Sequence, residues 1–428
     1  MYDQIVYSNY YNQQHGFLPK RSVTSCQVSF FATLASASNE GMSAVIIYLD
    51  ISKAFDKVPH KTLLTKLRRA GITGSLLAWF HSYLSERTQS TAMPGALSTA
   101  LPITSGVIQG SVLGPILFLL YINSIINSVK HGRTYLFADD IKIIYTFRPN
   151  CLGATALNIQ SDLNDIFAWS KSHCLSFSAD KCHVLGFQCP LTDYRFCLGN
   201  SILQVSDSIK DLGIRYSCNL DFSTQALYQI AKAKQLSSII LRSFHLRSVK
   251  LSLFKQRVRP ILEYCPFVAS QLTKANRLAI ERVQRTFTKA LFPAGSTMSY
   301  RVRCEHLKLD PLWLRRVKLN LILFHSLVYQ HRHLSYECPQ FSFNQRYTLR
   351  NSEHIIQYRT AKTVAYQYSF IPFYSHLWNN LPAPVRRISD KISFQRQLNL
   401  VLKLATIQHF FNLQQSLDRT FEEGPSRV

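Results

Sequence analysis

Residues 45–49 read Val-Ile-Ile-Tyr-Leu and stop at Asp50. Such a run has no polar face to turn towards water, so it predicts a central strand covered on both sides, with a carboxylate released at its end. A turn or short helix should follow. A strand of this kind needs covering layers, and residues 61–85 offer one. There Leu63, Leu64, Leu67, Ile72, Leu76, Leu77, Trp79, Phe80 and Leu84 recur at mostly helical spacing, interrupted at Gly71 and Gly74. Two amphipathic helices are expected.

Around residue 140 the chain reads TYLFADDIKIIYTF (134–147), two apolar, β-prone runs flanking Asp139 and Asp140. This predicts a hairpin with paired carboxylates at its tip. Helical periodicity resumes over 153–173, HVLGF (183–187) and IKDLGIRY (209–216) read as further strands, and 222–332 reads as mainly helical. A domain boundary is therefore expected near 217. The apolar stretch Ser111–Ile126 is short for a membrane span and has Gln109, Gly110, Gly114, Pro115 and Asn123 in or beside it. A buried helix is expected there, and no membrane association.

Lysine and arginine outnumber aspartate and glutamate 49 to 24, a formal charge of +25, which points to a polyanionic partner. Residues 231–320 carry 19 basic residues against 4 acids, or +15 of that total. Within them Lys232, Lys234, Arg242, Arg247, Lys250, Lys255, Arg257 and Arg259 follow one another with no acid between. Solvated helix faces normally mix the signs, so the run reads as a surface that tracks phosphates. An apolar content of 46% excludes a wholly disordered chain. The ten cysteines include no CxxC pair and read as reduced thiols. Cys174, Cys182, Cys189 and Cys197, near His173 and His183, lack the tight-loop spacing of a zinc site. The first 20 residues are polar and tyrosine-rich, without the apolar core of a secretory signal, so an intracellular protein of nucleus or cytoplasm is expected.

Three acids on two elements are the candidate chemistry. If the hairpin lies beside the first strand, Asp50, Asp139 and Asp140 converge at a sheet edge, an oxygen-rich setting that suits Mg²⁺ and leaves positions for phosphate and water. Two such ions about 4 Å apart would activate an attacking hydroxyl and stabilise the leaving oxygen of an in-line phosphoryl transfer. Each acid also has a plainer reading. Asp139 and Asp140 are common turn residues, and Asp50 would cap a short helix beginning near Ser52.

The words around these acids resemble the reverse transcriptase of non-LTR (LINE-type, jockey-like) retrotransposons. The matching stretches are QHGFLPKRSVTSC (14–26), YLDISKAFDKVPH (48–60), SGVIQGSVLGPILFLLYIN (105–123), FADD (137–140), DKCHVLGF (180–187) and DLGI (211–214). They occur in order. VRPILEY (258–264), ERVQR (281–285) and WNNLP (378–382) extend the likeness into the basic region, so it covers nearly the whole chain. The resemblance implies an α+β fold: a right-hand polymerase palm with partial fingers (1–216), a mainly helical basic thumb-like region (217–332) and a C-terminal region of unclear role (333–428). It implies an RNA-directed DNA polymerase, a nucleotidyltransferase joining a dNTP to a primer 3′-hydroxyl with two Mg²⁺ ions, Mn²⁺ being the alternative. Template RNA, DNA primer and dNTPs would be its partners.

Residue by residue, the metal-binding aspartates fall on Asp50, Asp139 and Asp140, and Asp56 matches a motif position that is not a ligand. Phe55 falls where a bulky ring lies beneath the incoming sugar and excludes a 2′-hydroxyl; unaided, it reads as a core phenylalanine. Gln109 and Gly110 match the loop against the incoming nucleotide and template, where glycine lets the backbone approach closely. Lys20 and Arg21 correspond to the fingers segment on the triphosphate, and Lys181 to the lysine that would protonate the pyrophosphate leaving group. Leu212 and Gly213 look like the primer-gripping turn.

The chain departs from the family wording at Ile108, where proline is usual, and at Ser124, where an acid usually follows YIN. Its beginning reads as a 5′-truncated copy, short of the upstream fingers segment and the endonuclease domain, and no Cys/His knuckle follows the basic region. The alternative function is therefore a catalytically inactive remnant that only binds nucleic acid. An RNA-templated RNA polymerase shares the acids, but Phe55 argues against ribonucleotide use.

Overall fold

The VIIYL run is the middle strand of a five-stranded sheet. The protein, described by a computed structural model over residues 12–329, 342–343, 355–357 and 359–402, groups by its contacts into two units. One comprises the described residues of Met1–Phe30 and Glu40–Asp207, the other those of Phe31–Asn39 and Ser208–Val428. Helix α1 (Val23–Asn39) gives its first turns to one and its last turns to the other.

The first unit runs β1 (Ser43–Leu49), α2 (His60–Arg69), α3 (Gly74–Leu84), α4 (Gly114–Ile122), β2 (Arg133–Phe137), β3 (Asp140–Phe147), α5 (Leu152–Ser172), β4 (His183–Phe187) and β5 (Gln204–Val205). Short two-residue strands lie between α3 and α4 and again before β5. The sheet order is β5-β4-β1-β3-β2, with β5 parallel to β4 and every other pair antiparallel. All seven residues of β1 are buried, as an apolar run between two neighbouring strands requires. Val45, Ile47 and Leu49 join one core cluster with Leu63 and Leu67 of α2, Phe118 and Tyr121 of α4 and Ile166 of α5. The two helices expected over 61–85 form, separated by glycines in the left-handed region at 71 and 74. Within Ser111–Ile126, α4 is only nine residues long and six of them are buried. Among the described residues no helix is long and apolar enough to cross a membrane.

Asp162, fully buried on α5, fastens the approach to β2. Its carboxylate accepts from the backbone N–H of Lys130 (3.0 Å), His131 (3.1 Å) and Gly132 (3.3 Å) and from the Tyr145 hydroxyl (3.0 Å). The Tyr145 hydroxyl is buried and is held well above its ordinary pKa by burial and by this neighbouring charge.

The second unit holds the hairpin β6 (Ser208–Asp211) and β7 (Ile214–Ser217), then α6 (Ser223–Ser243), α7 (Arg247–Leu253), α8 (Arg259–Glu263), α9 (Lys274–Lys289), α10 (Tyr300–His306), α11 (Leu312–Tyr329), α12 (Phe370–Asn379) and α13 (Lys391–Val401). One π-helical turn, Phe254–Val258, joins α7 to α8. The contact division falls at Asp207/Ser208, so the hairpin is grouped with the helices. Phe31 sits edge-on to Tyr216 and Phe222, and the Gln225 side chain accepts from Arg215 N–H at 3.1 Å. Of the region expected over 333–428, residues 333–341, 344–354, 358 and 403–428 lie outside the described residues.

Two basic-region words each set side chains into the interior. In ERVQR, Glu281 accepts from Tyr300 Oη (2.5 Å) and from Leu312 and Trp313 N–H (3.0 Å each), capping α11, while Gln284 donates to Tyr300 Oη (2.9 Å) and Asp310 O (3.0 Å). In WNNLP, Trp378 is fully buried beside Phe324 and Phe394, and the Asn379 amide pairs with both backbone groups of Ile356 at 3.0 Å.

Asp162→Ala should destabilise the protein by about 3 kcal/mol in urea denaturation, since it strands several donors at once. Asp162→Asn, which keeps acceptor capacity on one oxygen, should lose clearly less.

Candidate active site

The last paired residues of β1 and β3 are Leu49 and Ile141. One step further, Asp50 leaves β1 beside Asp140, which opens β3 and is paired with Phe137 of β2. Ala138 and Asp139 alone make the connection. The three carboxylates therefore emerge at one end of the sheet's inner strands, rather than along a lateral edge. Asp140 is exposed, and Asp50 and Asp139 are half-buried.

Asp50 is held on every side. Its N–H points at the buried Cys182 Sγ (3.5 Å), its carbonyl accepts from Ser178 N–H (2.9 Å), and Oδ2 lies 3.3 Å from Lys181 Nζ. The 176–181 segment, running beside Asp50, delivers that ammonium. Burial lifts the Asp139 carboxyl above its ordinary pKa and the charge of Asp50 adds to this, while its own backbone N–H and Lys181 pull it down. Three carboxylates are the hard-oxygen donor set of Mg²⁺ or Mn²⁺, and Lys181 stands as the cation that offsets them here. Among the described residues, no three His, Cys, Asp or Glu side chains are gathered as a ready ligand cage. The Asp50 carboxylate faces Lys181 instead.

Gln14, which sequence reasoning passed over, braces the carboxylate turn. Ala138 has φ +57°, a left-handed conformation that costs an L-residue about 1–2 kcal/mol. The fully buried Gln14 amide grips it: Oε1 accepts from Ala138 N–H (2.9 Å) and Gly16 N–H (2.8 Å), and Nε2 donates to Asn123 Oδ1 (3.0 Å) and towards Ala138 O (3.5 Å). His15 N–H donates to Leu136 O and Leu136 N–H to Gln13 O, so this strap lies along β2. It lies so close that a Cβ on Gly16 would sit 2.4 Å from Ala138 N. Only the quoted QHG word hinted at this, and nothing in it names a partner more than 120 residues away.

Phe55 stacks on the fully buried Phe118 (centroids 4.3 Å, planes 16° apart), and the exposed Phe17 meets its edge at 6.0 Å. Phe17 had drawn no attention in the sequence. Gln109 Nε2 donates to Asp56 Oδ1 (2.7 Å), tying its loop to the segment after β1. Gly110 has φ +81° with open space where a Cβ would stand, so within the chain its conformation, not crowding, calls for glycine. Arg21 donates through Nη1 to the carbonyls of Asn12 and Gln14, holding the strap, and Lys20 is exposed with φ +62°.

The remaining expected residues belong to the second unit. Leu212 and Gly213 form the two-residue turn between β6 and β7, where Leu212 O accepts from Tyr264 Oη at 2.7 Å. Lys232, Lys234, Arg242, Arg247 and Arg257 are exposed, and Lys250, Lys255 and Arg259 are half-buried. Arg247 lies over the Phe292 ring at 4.2 Å, and Lys232 reaches Tyr228 Oη at 3.5 Å. Arg259 Nε is 3.8 Å from Glu263, which also pairs with Arg315, so this arginine faces an acid that follows the basic run.

Asp139→Asn should stabilise the chain at neutral pH. A carboxyl raised in the folded state costs stability as pH rises from its unfolded value through its folded one, and the cost is complete above that. Thermal melts from pH 4 to 8 should therefore show the variant's advantage opening with pH and then levelling.

The family model described as reverse transcriptase (RNA-dependent DNA polymerase) matches residues 2–216. The chain is 29% identical over 238 residues to the RNA-directed DNA polymerase from mobile element jockey of Drosophila melanogaster, covering 52% of this chain and 25% of that protein. To the probable RNA-directed DNA polymerase from transposon BS of the same species it is 26% identical over 264 residues, covering 57% of this chain and 28% of the relative. It thus spans about a quarter of the length of the curated relatives it matches. Among solved structures, an apo telomerase from Candida tropicalis aligns at a TM-score of 0.35 and 11% identity, covering 78% of this chain and 59% of that one. With half its length matched by one family model, from the strap through the carboxylate turn to the β6–β7 hairpin, the chain belongs to the reverse transcriptase family.

Proposed function

We propose that this chain is the catalytic part of an RNA-directed DNA polymerase of a non-LTR retrotransposon, adding dNTPs to the 3′-hydroxyl of a primer on template RNA. The observation that carries the proposal is the emergence of Asp50, Asp139 and Asp140 at one end of neighbouring strands, with Lys181 against Asp50. In it, residues 1–216 are palm and partial fingers, 217–332 a basic thumb-like region, and the protein works inside the cell, in nucleus or cytoplasm.

Asp50, Asp139 and Asp140 would hold two Mg²⁺, or Mn²⁺ in their place. Such ions, when bound, supply the Lewis acidity that lowers a hydroxyl pKa and neutralises phosphate charge. Lys181, 70% exposed at its side chain and paired with Asp50, is placed to turn its ammonium towards a departing pyrophosphate oxygen and donate a proton there. Phe55 backs the sugar of the incoming nucleotide. Its stack on the fully buried Phe118 backs one face of the ring, which is what excluding a 2′-hydroxyl calls for. Lys20 and the Arg21 strap would meet the triphosphate, Gln109 and Gly110 the nucleotide and template, and Leu212 and Gly213 the primer end. The exposed cations of α6 and α7 would follow the phosphates of the duplex.

Primer extension of oligo(dT) on poly(rA) with Mg²⁺ and dTTP tests this. Wild type should extend, and an Asp139→Ala/Asp140→Ala variant, shown folded by circular dichroism, should fall to background. No extension by either, with salt-sensitive template binding retained, would leave a nucleic-acid-binding remnant as the function. Phe55→Val should keep dNTP use and raise ribonucleotide incorporation by about tenfold or more; unchanged discrimination would remove Phe55 from the sugar site.

A further inference from the structure

The first unit carries an open cavity of about 490 Å³ between the end of α2, the end of α4 and α5. Among the described residues no Asp or Glu lines it. Lys66 and Arg69, one turn apart on α2, both face it, and among the described residues neither has a carboxylate partner. The Lys66 ammonium donates to Tyr121 O (2.5 Å) and Ser124 Oγ (2.7 Å), which uses two of its three protons. It lies 4.7 Å from the Tyr121 ring centroid. Burial, and then the charge of Arg69, bring its pKa down to about 8. An ammonium so placed calls for an anion that the described residues do not provide.

Asn123 is among the residues that line the same cavity; it is 2% exposed, and among the described residues its buried Nδ2 has no hydrogen-bond partner. Its orientation is set by hydrogen-bond logic: backbone N–H groups fix Gln14 Oε1, so Gln14 offers Nε2, and the Asn123 atom facing it is Oδ1. Nδ2 is the atom left over. An ammonium with a spare proton, a guanidinium and an orphaned amide donor, without one acid, form a site for an oxyanion.

We propose that this cavity binds a phosphate group, free or carried on a nucleoside, through Lys66, Arg69 and Asn123. Its volume falls in the range of small-molecule sites and admits either. The proposal does not depend on polymerase activity.

The test is calorimetry and thermal shift on the full chain with inorganic phosphate and, separately, uridine 5′-monophosphate. The decisive variant is Ser124→Asp. It places a carboxylate where Ser124 Oγ already accepts from Lys66 and from Trp169 Nε1 (3.1 Å), so the fold should be at least as stable while the anion's place is taken from within. Wild type should show saturable millimolar binding and a higher melting temperature with phosphate. Ser124→Asp and Lys66→Met should each bind at least tenfold more weakly, about 1.4 kcal/mol. Tighter binding of the nucleotide than of phosphate would identify the nucleoside as part of the ligand, and equal binding would identify phosphate alone. Equal affinity in wild type and both variants, or no saturable binding in wild type, would overturn the assignment.

Discussion

A slip of one residue between β1 and β3 would turn every side chain of the central strands to the opposite face, and with them the carboxylates at their ends. The register Leu49 against Ile141 is what the site depends on. It is fixed by continuous antiparallel ladders on both sides of β1, to β3 and to β4, with all seven residues of the strand buried between them. Negative charge gathered at one point needs an answer, and the Lys181 ammonium against Asp50 is part of it.

The turn shows how a strained conformation is held by distant chain. Ala138 has a side chain where the backbone would prefer glycine, and one buried amide takes both its N–H and its carbonyl. Gln14 is in turn oriented by Gly16 and passes its remaining donor to Asn123. A single hydrogen-bonded path thus runs from the carboxylate turn to the wall of the cationic cavity. Removing one amide in such a path leaves several buried groups unpaired together, so its members matter more than their number suggests.

In the second unit the excess of cations sits on a frame built from its few acids. The four acids of residues 231–320 are all engaged: Glu263 with Arg259 and Arg315, Glu281 inside, Glu305 with Arg301 and Asp310 with Lys318. Because the acids are spent on structure, the exposed lysines and arginines of α6 and α7 keep their field unneutralised.

Local pattern was enough to find β1, the hairpin around Asp139, the helices over 60–84 and α5, because each rests on a periodicity written within a dozen residues. The positions of the three aspartates were legible for the same reason: Asp50 follows the end of β1, Asp139 lies in the hairpin turn and Asp140 opens β3. The family likeness carried Phe55, Gln109 and Lys181, and the matched family extends over them. ERVQR and WNNLP, quoted only as words of the basic region, contain core fastenings that the sequence did not reveal, since nothing local distinguishes a glutamate that caps a distant helix from one in water.

The sequence by itself determined which segments are buried strands, where the carboxylates stand along them and how much positive charge the chain carries, since these follow from neighbours in the chain. Only the tertiary structure decided that Asp50 faces Lys181, that Gln14 grips Ala138 and that Lys66 and Asn123 share an acid-free cavity. Those contacts join residues up to 131 positions apart, and a hydrogen bond across such a distance leaves no periodic trace in the sequence.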